Sequence, residues 1–131
     1  MKRRTREWIE KAEGDRAVAL REMQAAEPVF DVVSFHAQQC AEKYLKAFLE
    51  EQGISFGKTH DLALLLDLAG AGLAELGGKK DALKLLSVLG IAARYPGSRA
   101  DRAEAQDAIA LAQEVRNIVR GKLRPEKENE G

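Results

Sequence analysis

A chain of 131 residues with 21 Lys+Arg against 21 Asp+Glu has the size of one domain and no net basic field to draw it onto nucleic acid. Hydrophobic residues make up 45% and charged residues 32%, with only 3 prolines, and the abundant Ala, Leu, Glu, Lys and Arg lose little rotamer freedom in a helix, so the class is all-α. The lone Cys40 excludes an intramolecular disulfide, while the lack of a charged-then-apolar leader or of a run of about 18 apolar residues argues against secretion and membrane spanning and for the cytoplasm.

Trp8, Ala12, Asp15, Ala19 and Met23 recur at three- and four-residue spacings, predicting a first helix from about Thr5 to Ala25 whose inner face includes an acid. Pro28 fixes its own φ and disfavours helix at Glu27, so 26–29 reads as a turn. The strongest 3.6-residue period follows, on Phe30, Val33, Ala37, Cys40, Ala41, Tyr44, Leu45 and Phe48, and predicts a second helix from about Phe30 to Gln52. Gly53, Ser55 and Gly57 break it. Thr59 and Asp61 then place an oxygen acceptor and a negative charge where the free N–H groups of a third helix would point, and its stripe runs from Leu62 through Leu65, Leu66, Ala69 and Leu73 to Leu76.

Gly77 and Gly78 end that stripe, and a fourth helix is expected from about Lys80 to Arg94, stopping before Pro96 and weakened by Gly90 in its interior. The fifth runs from about Asp101 to Leu123 on Ala105, Ala108, Ala112, Val115 and Val119, small residues that permit close approach. Arg124 to Gly131 is charged, contains Pro125 and has no apolar stripe, so it reads as a flexible tail on a single domain of residues 1–123. Short connections predict an antiparallel up-down helical bundle of four long helices plus one shorter helix.

His36 and His60 are the only histidines, and neither stands at metal-ligand spacing from a second His, Cys or carboxylate pair, so no metal and no cofactor are expected. His36, Gln39, Lys43 and Lys46 follow one another by three, four and three residues and form one polar stripe on the second helix. Such a stripe either grips a phosphate or is the solvated side of an amphipathic helix, laced by i, i+4 pairs such as Glu42 with Lys46. Asp15, on the inner face of the first helix, requires a cation if buried, and Lys43 or Lys46 is placed to supply it. His60 and Asp61 either cap the third helix or touch a ligand. Cys40 has no base beside it in sequence and reads as a small buried hydrophobe. No glycine-rich phosphate loop or serine elbow is present, and no catalytic residue is assigned.

Trp8-x3-Ala12-x2-Asp15-x3-Ala19, then the run from His36 to Leu49 (HAQQCAEKYLKAFL), then Thr59-His60-Asp61-Leu62, and Arg94-Tyr95-Pro96 before the last helix together resemble the HEPN domain, over about Thr5 to Leu123. The resemblance implies a bundle of four to five helices, usually a homodimer, often encoded beside a minimal nucleotidyltransferase and proposed to bind nucleotides. On the stripe, the inner-face acid and the helix start, the candidate ligand-binding residues are Asp15, His36, Gln39, Lys43, Lys46, His60 and Asp61. Some branches of that family are ribonucleases marked by an Arg four to six residues before a His, and no Arg precedes His36 or His60 at that spacing, so the general acid/base pair such cleavage needs is missing. The expected function is therefore a non-catalytic nucleotide- or partner-binding subunit of a toxin-antitoxin-like pair of genes. Its rivals are a divergent metal-independent ribonuclease, using His36 or His60 with an Arg from another helix or subunit, and a dimeric scaffold.

Overall fold

The computed structural model describes residues 1–123; the charged tail expected at 124–131 lies outside the described residues. Five α-helices and one 3-10 segment make up the fold, with no strand among the described residues: α1 (Arg3–Met23), α2 (Phe30–Gln52), α3 (Leu62–Ala69), a 3-10 segment (Gly70–Lys79), α4 (Lys80–Ala92) and α5 (Arg102–Lys122). The strongest apolar period in the sequence became the central element. α2 is packed by α1, α3, α4 and α5, and Ala37, Cys40, Ala41, Tyr44, Leu45, Ala47 and Leu49 are all essentially inaccessible. Its C-terminus closes on Gly53 at φ 72°, the left-handed geometry that glycine adopts without strain.

Local contacts set the helix directions. Lys2 at the start of α1 donates its backbone N–H to Glu51 at the end of α2, and Val29 donates to Glu22 at the other end, so α1 and α2 are antiparallel. Ala100 donates to Asp31 and Arg120 reaches the Tyr44 hydroxyl, so α5 runs alongside α2 in the same sense, as it does when the four helices other than the short α3 alternate up and down. Asp101 caps α5 with a full capping box, its carboxylate accepting from Glu104 N while Glu104 accepts from Asp101 N.

The third helix is shorter than its stripe. It ends at Ala69 after 8 residues, where Gly70 sits at φ 54°, and the chain continues as a 3-10 segment interrupted at Leu73. Leu73 and Leu76 are nonetheless fully buried. Gly72 rests on the Phe48 ring, where an added Cβ would come within 2.8 Å. The bundle thus has long helices of 21, 23 and 21 residues and shorter ones of 13 and 8. No described helix is long and apolar enough to cross a membrane.

Candidate functional site

α1 and α2 face each other across an acid that both sequence and burial demanded. Asp15 lies on α1 with its carboxylate nearly covered, and it accepts from Lys43 Nζ at 2.6 Å and pairs with His36 Nδ1 at 2.8 Å. His36 and Lys43 are two turns apart on α2, so one carboxylate spans them. Their side chains are 28% and 22% exposed, and the fixed Nδ1 contact leaves the imidazole Nε2 directed away from Asp15.

Lys46 goes elsewhere. It is 6% exposed, paired with the buried Glu42 at 2.9 Å, and its ammonium lies over the rings of Trp8 and Phe56 at 5.5 and 5.7 Å. Glu42 also holds His60 Nδ1, at 3.0 and 3.2 Å from its two oxygens, and accepts from Gln38 and Gln39. The stripe of His36, Gln39, Lys43 and Lys46 is therefore neither continuous nor a solvated face: α1 and the segment before α3 cover its last turn, and the Glu42–Lys46 pair is an interior one. The sequence period alone carried no sign of that cover. His60 bonds to α2 rather than to its own turn, pinning the 53–61 connection to the bundle, whereas Asp61 is the N-cap of α3, accepting from Ala63 and Leu64 N. Thr59 Oγ1 in turn accepts from Asp61 N.

A third polar cluster escaped the sequence reading. Glu13 takes two hydrogen bonds from Arg116, at 2.7 and 3.2 Å, and one from the Tyr44 hydroxyl, which Arg120 also approaches. Burial alone would raise the Glu13 pKa, but the hydrogen bonds from Arg116 and Tyr44 and the charges of Arg116 and Arg120 outweigh it and hold the carboxyl below its usual value. Burial, with Glu13 beside it, pushes the Tyr44 phenol up to about 12. Burial likewise pushes the Cys40 thiol up to about 12, in keeping with an inert core residue.

At the opposite end, Arg94 lies over the rings of Phe35 and Tyr95, at 5.4 and 5.7 Å, and the His36 ring meets Phe35 edge-on at 5.1 Å. Arg94 and His36 thus share an aromatic neighbour without forming the sequential Arg–His signature. No cluster of three or more His, Cys, Asp or Glu suited to a metal occurs among the described residues.

Comparison with known proteins agrees with this architecture. The family profile described as "HEPN domain" matches residues 5–122. Two solved structures are similar over nearly the whole chain. TT1696 from Thermus thermophilus has 25% identity, covering 92% of this chain and 99% of that one with a TM-score of 0.79. ST0689, described as an archaeal HEPN homologue, has 26% identity, covering 95% and 100% with a TM-score of 0.74. No curated protein matches.

Proposed function

The chain belongs to the HEPN domain family, and we propose that within it this protein is a non-catalytic, homodimeric binding subunit that partners a minimal nucleotidyltransferase and takes nucleotide phosphate on α2. The observation that supports the ligand is the way Asp15 holds His36 and Lys43 side by side, both partly exposed. Lys43, held by one oxygen of that carboxylate while the His36 ring is held by the other, is pre-organised to offer its remaining N–H groups to an anion, with little ordering left to do on binding. Lys46, buried against Glu42, is not part of this surface. Gln39 and His60 bond to Glu42, the partner of Lys46.

The absence of an Arg at ribonuclease spacing before either histidine supports binding over cleavage. So does Lys43, which occupies the second oxygen of the carboxylate that would otherwise serve His36 alone. The partner and the dimer rest on the family.

Calorimetric titration of wild type and of Lys43→Ala with a nucleotide panel tests the ligand. A charge-assisted hydrogen bond is worth roughly 1.5–3 kcal/mol, so the variant should bind about 10- to 150-fold more weakly. Wild type silent at millimolar nucleotide, or a variant that binds equally, overturns the phosphate assignment. Co-expression with the nucleotidyltransferase of the same genome, followed by light scattering, tests the partner. A mass of twice 14.4 kDa for the chain alone is the expected dimer.

A further inference from the structure

α4 and α5 both rest on α2 but scarcely touch each other, and a groove of about 350 Å³ opens between them. Leu85, Leu86, Leu89 and Leu111 line it with apolar surface, while Glu104, Asp107 and Glu114 stand along its α5 wall. One basic residue borders it, Lys79, and it is tied to Glu114 at 3.5 Å. Asp107 has no ion-pair partner among the described residues. Leu85 is 58% exposed, and Val88, one turn further along α4, is 60% exposed, so the apolar ridge continues past the groove itself.

We infer that this groove is a docking site for an amphipathic helix of a partner protein, its apolar stripe flanked by Lys or Arg. This rests on the reading of the chain as a binding subunit and adds the partner's chemistry. Three features select that occupant. From Glu104 to Glu114 the α5 wall rises ten residue steps, about 15 Å at 1.5 Å per residue, long enough to face apolar anchors at i, i+3 or i+4, and i+7. The wall is acidic, so a basic flank is attracted and an acidic one repelled. A small apolar molecule confined to the groove would leave Val88 uncovered, whereas a helix laid along α4 covers it. A second copy pairing groove to groove about a twofold axis that crosses the groove would bring the two acidic walls of the dimer together.

The test uses the full chain and two synthetic fluorescein-labelled helical peptides that share one leucine stripe, the first flanked by lysines and the second by glutamates. The lysine peptide should bind at micromolar concentration and at least about tenfold more tightly than the glutamate peptide. Leu85→Glu should abolish binding, and Asp107→Lys should narrow or reverse the preference; both residues are exposed, and unchanged melting temperatures verify that both variants fold. Neither variant should alter nucleotide titration, so failure at the groove is separable from failure of the α2 ligand site. No binding of either peptide, equal binding of both, or binding indifferent to Leu85→Glu overturns the proposal. A self-associated form that Leu85→Glu dissociates and the lysine peptide displaces also overturns it, assigning the groove to a second copy.

Discussion

Glu13 carries three hydrogen bonds from two residues, Arg116 and Tyr44, and the first of these lies 103 positions away. That separation is why the sequence concealed it. Asp15 was legible because it interrupts an apolar stripe, and an acid there must find a cation; Glu13 lies one residue off the stripe and looks like any surface acid. Its pKa makes the cluster measurable. Since the folded-state value lies below the ordinary 4.5, the contribution is present at neutral pH and is lost as pH falls through the folded value. Glu13 is partly exposed, so solvent screening brings the expected effect of Glu13→Gln at pH 7 down to about 1 kcal/mol, or roughly 3–5 °C in melting temperature. Melting curves of the two proteins should converge as the pH is lowered past that folded-state value. A gap that persists unchanged at pH 3 would mean that packing, not charge, is what the carboxylate supplies.

Among the elements, α2 and α5 were readable almost to the residue, α2 from its apolar period and α5 because its period agrees with the Asp101 cap, and α1 to within two residues at each end. α3 was not, since Leu73 and Leu76 satisfy helix and 3-10 periods alike and only the backbone at Gly70 decides between them. Gly90 was read as a weakness in α4, and the packing reverses that reading. A Cβ there would lie 2.5 Å from Gln38 Cβ and 2.7 Å from its Cγ, so the missing side chain is what lets α4 close on α2. Helix propensity favours Ala over Gly by about 0.8–1 kcal/mol, whereas forcing two helices apart costs about 1–3 kcal/mol. Gly90→Ala should therefore be net destabilising, by up to about 2 kcal/mol. Gly14, in α1, has nothing within 4 Å of the same position, and Gly14→Ala should stabilise by about 0.5–1 kcal/mol. Denaturant midpoints of opposite sign are the expected outcome; two stabilised variants would show that α4 sits further from α2 than 2.5 Å implies.

At the scale of the molecule, the sequence disclosed the class and the order of helices but not that one of them would be enclosed by all the others. Enclosure explains why polar α2 positions are buried: Gln38, Glu42 and Lys46 are in a helix with almost no solvent side, so they pair with one another and with what covers them. It also predicts how the molecule unfolds. With α2 common to the contacts of α1, α3, α4 and α5, no pair of helices has a core independent of it, and unfolding should be a single transition. Trp8, the only tryptophan, reports on α1 through its packing with Phe56 and Lys46, while far-UV circular dichroism reports on every helix. Truncating Leu45, which is fully buried at the centre of α2, should cost about 2–5 kcal/mol. In Leu45→Ala the tryptophan and dichroism curves should shift together by the same amount in denaturant. If Trp8 fluorescence moves well ahead of the dichroism, α1 detaches while the remaining helices stay folded, and α2 is not the hub on which the whole molecule depends.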